Sequence, residues 1–171
     1  MRLLTLCQHL DTRVLLWSVR HRERRALPVV VRWTSRTGDG YAQVGVPGAL
    51  WFGGGDARAL ALQIAWLFAL ERCLYWITKN GLRRRRPPES LPAFTSMIVA
   101  SDRFSFPSGH TSAAFLLAAL VHAQAPSLGG FAFAWASAVG ASRVALGVHF
   151  PSDVLAGAAL GLSIAELQAL L

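Results

Sequence analysis

From residue 57 to the C-terminus, apolar segments of helical length alternate with short stretches rich in Arg, His, Ser and Pro. That alternation permits few folds. Residues 57–78 are long enough to cross a bilayer, which takes roughly 20 apolar residues. Residues 110–124, 129–148 and 153–171 are three further apolar helices. The segment 129–148 is rich in Ala, Gly and Ser, so its neighbours can pack closely against it. No period-two alternation or internal repeat occurs, and the reading is an all-α, membrane-embedded bundle of about five to six helices. Two helices separate residue 107 from residue 142, so the chain returns to the side it left. The polar stretches before and after these two helices can therefore meet at one membrane face.

Composition supports this reading. Hydrophobic residues make up 53% of the 171 and charged residues 15%, whereas soluble domains carry about 25% charged residues. Mean hydropathy is positive. Lys and Arg outnumber Asp and Glu by 17 to 9, and Lys79 is the single lysine. Such a basic chain suits anionic lipid or a phosphorylated substrate; its apolar content excludes a nucleic-acid module. Cys7 and Cys73 are far apart and lack zinc-ligand spacing, which predicts two unpaired thiols. No cleavable signal peptide is evident at the N-terminus.

Residues 1–40 read as a basic amphipathic segment lying on the membrane surface, and residues 41–171 as the membrane helical domain. Within the first, Asp11 is expected to cap a helix running to about Arg25 and stopped by Pro28. Leu15, Leu16 and Val19 form its apolar side, opposite an arginine cluster. In the second, residues 41–52 are too short to span alone. Glu71 and Arg72 interrupt an apolar helix, which predicts an intra-bundle or near-interface pair.

Three motifs carry the chemistry. Lys79 to Pro87 reads K-x6-R-P, Pro107 to His110 reads PSGH, and Ser142 to Asp153 reads S-R-x5-H-x3-D. In the second, Ser108 and Gly109 open a helix whose free N–H groups and positive end favour an anion. In the third, a guanidinium at Arg143 inside an apolar helix demands an anionic partner, which a phosphate supplies. His149 and Asp153 are four residues apart. With a helix starting near Ser152, the Asp153 carboxylate reaches one imidazole nitrogen and leaves the other to attack phosphorus. Lys79 and Arg86 add cations, while Arg83, Arg84 and Arg85 read as general electrostatics or lipid-headgroup contacts. His9, His21 and His122 have no comparable neighbourhood.

In type, order and spacing these motifs resemble the type 2 phosphatidic acid phosphatase superfamily, which includes membrane lipid phosphatases and vanadium haloperoxidases. The resemblance runs from Lys79 to Asp153. It implies His149 as a nucleophile that forms a phosphohistidine, Asp153 as the group that orients it, and His110 as general acid and then base. It implies Lys79, Arg86, Ser108, Gly109 and Arg143 as ligands of the phosphoryl oxygens, with no metal and no cofactor. A haloperoxidase would hold vanadate in the same anion site, but the haloperoxidases are long and soluble, which favours a phosphatase for this short apolar chain. A non-catalytic basic membrane protein leaves His110, His149 and Asp153 unexplained. The expected partners are the bilayer and a lipid phosphate, either an isoprenyl mono- or diphosphate or a phospholipid phosphate. The expected location is the bacterial inner membrane.

Overall fold

The computed structural model describes residues 2–21 and 27–170 and is helical throughout, with no strand among the described residues. In chain order the helices are α1 (Arg2–His21), α2 (Leu27–Thr37), α3 (Tyr41–Trp51), α4 (Gly55–Leu82), α5 (Pro87–Ser90), α6 (Gly109–Gln124), α7 (Pro126–Ala145) and α8 (Pro151–Ala165). A 3-10 turn, Glu166–Leu170, follows. Among the described residues one stretch, Gly55–Ser90, is long and apolar enough to cross a membrane. Large side chains including Trp17, Trp33, Trp66, Trp76 and Phe131 lie on the outside of the bundle, an exterior suited to lipid rather than water.

The 16-residue α6 lies at the centre and packs against α4, α7 and α8. Ile64, Leu67 and Phe68 of α4 meet Leu116, Leu117 and Leu120 of α6, with Ile164 of α8 closing the cluster. On its other side, Ala114 and Ala118 pack on Ala136 and Val139 of α7. Small residues set how near these helices come. A Cβ on Gly157 of α8 would stand 2.5 Å from the Ser108 carbonyl oxygen, and one on Gly140 of α7 would stand 2.8 Å from Val154. The absence of those atoms lets α8 lie directly against the start of α6. The Ser108 N–H accordingly donates to the Asp153 carbonyl at 2.9 Å, joining the second and third motifs through backbone.

The N-terminal helices differ from expectation. Asp11 does not cap its own helix: it lies in the interior of α1, buried, where its carboxylate accepts from Arg84 at 2.6 Å and from the Ser152 N–H, in the first turn of α8, at 2.9 Å. An aspartate beside an apolar run reads as a cap, but here a distant cation decides its place. Arg22, Arg24 and Arg25 lie outside the described residues. Helices α1 and α2 both pack on α7, and Leu15 is fully buried with Val144 and Phe150. Glu71 and Arg72 form the expected intra-bundle pair, with Glu71 fully buried. Cys7 and Cys73 are free and exposed.

Candidate active site

The connection after α4 is pinned to both later motifs. Lys79 occupies the last turn of α4 and is almost wholly buried. Arg83 takes a left-handed conformation, φ 48°, that ends the helix. The chain then passes Arg84 and Arg86, both turned inward. Arg86 donates through Nη1 to the Val148 carbonyl at 2.6 Å and through Nε to the Asp102 carbonyl at 3.0 Å, and its Nη2 pairs with the Asp102 carboxylate. Lys79 Nζ stands 3.2 Å from the same carboxylate, and the Tyr75 hydroxyl donates to its other oxygen at 2.7 Å. Burial alone would raise the Asp102 carboxyl, but the Tyr75 and Arg86 hydrogen bonds and the charges of Lys79 and Arg86 hold it below its ordinary value.

His149 lies between α7 and α8 and is 2% exposed. Its Nδ1 faces Asp153 Oδ2 at 3.6 Å, and its Nε2 faces Arg86 Nη1 at 3.5 Å. The Asp153 carboxylate is locked. The Phe150 N–H donates to Oδ2 at 2.8 Å, capping α8, and Arg84 Nη1 donates to Oδ1 at 2.7 Å. Arg84 also donates to Ser152 Oγ at 2.6 Å and lies over the Phe150 ring. This arginine thus braces the His149–Asp153 pair, whereas the sequence placed it among general electrostatics. Burial, followed by the charges of Arg86 and Arg143, holds the imidazole down at about 4 despite Asp153. It is therefore neutral at neutral pH, the form with a nucleophilic nitrogen.

The first turn of α6 carries His110, whose Nε2 pairs with Asp39 Oδ1 at 2.7 Å. Asp39 sits in the turn between α2 and α3, and this pairing leaves Nδ1 as the nitrogen for other work. His110 and Arg143 line one cavity of about 250 Å³ together with Arg32, Ser35, Arg36 and Ser101. Arg143 is 5% exposed; it donates through Nη1 to Ser35 Oγ at 2.6 Å, while its Nε is buried without a partner.

Lys79, Arg86, His149 and Asp153 are thus joined through Arg86 and Asp102, while His110 and Arg143 line a cavity that none of those four residues lines. Ser108 and Gly109 behave differently. The Ser108 hydroxyl is fully buried against Thr111 Oγ1 at 2.9 Å, and its N–H is taken by Asp153. A Cβ on Gly109 would stand 2.8 Å from the Tyr75 ring, so glycine is needed there for packing. Asp102, Asp39 and Arg84 were not found from the sequence. Their partners lie 16, 71 and 69 residues away, and no local pattern announces such pairs.

Comparison with known proteins places the fold in a family. The model for the PAP2 superfamily matches residues 60–169. The chain belongs to the PAP2 superfamily. The match runs from within α4 to beyond α8 and so includes the segment from Lys79 to Asp153. A probable lipid phosphate phosphatase beta of Arabidopsis thaliana is 35% identical over 114 residues, half of this chain; the chain spans 53% of that protein's length. The crystal structure of Aquifex aeolicus LpxE has the same fold, with a TM-score of 0.81 and 23% identity over 95% of this chain and 96% of that one. A transmembrane PAP2-type phosphatidylglycerolphosphate phosphatase from Bacillus subtilis superposes with a TM-score of 0.73 at 28% identity, covering 95% and 84% of the two chains. The membrane-embedded helical bundle is a PAP2 fold.

Proposed function

We propose that this PAP2 protein is a metal-independent lipid phosphate phosphatase. It hydrolyses an isoprenyl mono- or diphosphate or a phospholipid phosphate at the surface of the bacterial inner membrane. The observation that carries the reading is the setting of the buried His149, whose Nδ1 makes no hydrogen bond in the structure and stands 3.6 Å from the Asp153 carboxylate. Nδ1 is backed by a carboxylate locked by Arg84 and the Phe150 N–H, and Nε2 is turned toward Arg86. A structural histidine needs no such backing; a nucleophile does.

In the proposed reaction Nε2 of His149 attacks phosphorus and the bond from phosphorus to the alcohol oxygen breaks. The departing oxygen takes a proton from Nδ1 of His110. Water, deprotonated by His110, then attacks the phosphohistidine; the P–N bond breaks and inorganic phosphate leaves. Lys79, Arg86 and Arg143 hold the equatorial oxygens, where charge accumulates in the transition state.

The test is phosphate release from a panel of lipid phosphates in detergent with EDTA present. Wild type is expected to turn over, and His149→Ala to lose at least about 10³-fold, the scale on which removing a nucleophile acts. Acid-quenched wild type is expected to carry acid-labile phosphate that His149→Ala lacks. Turnover abolished by EDTA and restored by Mg²⁺ would sink the mechanism.

A further inference from the structure

A second, larger cavity adjoins the basic one. It measures about 820 Å³ and lies between α3, α4 and α6, walled chiefly by Val44, Pro47, Phe68 and Ala113. The two cavities have Asp39, Ser101 and His110 in common. His110, which would protonate the departing oxygen, therefore stands at the boundary between a basic chamber and an apolar one. A lipid phosphate fits this division, with its phosphoryl group beside Arg143 and its alcohol in the larger cavity.

Gln43 of α3 lines that larger cavity. It is 9% exposed, and both its amide nitrogen and its amide oxygen are buried without a hydrogen-bond partner. Two unpaired polar atoms on one buried side chain are costly unless a ligand pairs with them. The other charged groups there are already matched. Arg72 donates to both oxygens of Glu71 at 2.5 Å, and Asp39 holds His110.

We propose that Gln43 reads a neutral hydrogen-bonding group on the leaving alcohol, next to the scissile bond, and so selects a glycerol-type lipid phosphate. This rests on the phosphatase reading above. A hydroxyl satisfies both amide atoms, since it donates and accepts; an ester carbonyl satisfies the donor. The second phosphate of an isoprenyl diphosphate only accepts. It would also face the Asp39 carboxylate at the boundary, with Arg72 already neutralised by Glu71. A plain isoprenyl chain leaves Gln43 unpaired.

The test compares kcat/KM for phosphate release from 1-oleoyl lysophosphatidic acid, dioleoyl phosphatidic acid, farnesyl phosphate and farnesyl diphosphate, in mixed micelles, for wild type and Gln43→Met. Wild type is expected to prefer the two glycerol compounds. Gln43→Met, which keeps length and removes both polar atoms, is expected to lower the ratio of lysophosphatidic acid to farnesyl phosphate by about tenfold, the loss of one neutral hydrogen bond. A ratio does not depend on how much of the variant folds, and Gln43→Leu gives an independent reading of it. A wild-type preference for either farnesyl compound, or an unchanged ratio in both variants, overturns the inference and leaves the phosphatase reading standing. Release from none of the four by wild type overturns both.

Discussion

Asp39→Asn isolates the part of the mechanism that the sequence did not announce. The carboxylate sits 2.7 Å from Nε2 of His110. In the proposed reaction it fixes the tautomer and stabilises the imidazolium that must give up a proton from Nδ1. A hydrogen bond to a charged group contributes about 1.5–3 kcal/mol. The Asp39 side chain is 38% exposed and that of His110 25% exposed, so water screens the pair and the lower end applies. About 1.5 kcal/mol corresponds to roughly a tenfold loss of rate. That loss should appear only where the leaving oxygen needs a proton. In practice kcat/KM is measured for an alkyl phosphate and for p-nitrophenyl phosphate, whose phenolate departs without help. Asp39→Asn is expected to lose about tenfold on the alkyl ester and under about threefold on the aryl ester. In a His110→Gln background, adding Asp39→Asn should then change neither rate, because the pair acts as a unit. Equal losses on both esters, or an undiminished Asp39→Asn effect without His110, would refute the assignment of Asp39 to the general acid.

Two further perturbations test the nucleophile's support. Arg84→Met leaves the buried carboxylates of Asp11 and Asp153 without the guanidinium that joins them. Removing one partner of a buried ion pair costs about 3–5 kcal/mol, discounted here because Arg84 is itself 27% exposed. A fall of several degrees in Tm is expected, with kcat reduced on alkyl and aryl esters alike. An unchanged Tm would contradict the bracing role. The second concerns pH. His149 stands at about 4 in the folded protein against about 6.5 in an unfolded chain, so on acidification the unfolded chain takes up this proton first. The contribution is full above about pH 6.5 and is lost as pH falls toward 4, amounting at most to roughly 3 kcal/mol. Denaturant titrations between pH 7 and pH 4 should show this slope in wild type and a shallower one in His149→Gln; identical slopes would show that the histidine is not buried neutral.

What was legible in the sequence was what local spacing dictates. His149 and Asp153 are one helical turn apart across a proline, and Lys79 and Arg86 flank the exit from a long apolar helix, so both pairs could be placed before any coordinates. Two helices, α6 and α7, lie between PSGH and the end of the third motif, and the two motifs meet through the Ser108–Asp153 backbone hydrogen bond. Groups whose role depends on tertiary pairing stayed hidden. Asp39 lies between two glycines in a turn and looks like a turn residue; only the seating of α6 against the α2–α3 connection makes it a partner of His110. Arg84 belongs to a run of four arginines, and nothing local separates it from Arg83 or Arg85. Asp11 is buried inside α1 because Arg84 reaches it there, a pairing 73 residues apart that no local pattern shows.

The charge balance suggests the order in which the site would engage its substrate. Arg84 is spent on Asp11 and Asp153, and Lys79 and Arg86 share Asp102. Arg143 donates to a neutral hydroxyl, Ser35, and its buried Nε donates to nothing. Among these four cations it is the one not paired with a carboxylate, and it lines the same cavity as His110. On the proposed mechanism a phosphoryl group entering that cavity therefore gains most from Arg143 first, where no carboxylate must be displaced. Lys79 and Arg86 can follow only as their hold on Asp102 loosens. On that mechanism the gain from them would come late, as negative charge builds on the equatorial oxygens, which is where binding energy accelerates a reaction rather than merely holding the substrate. Asp102 would then keep two cations in place without letting them bind the ground state too well.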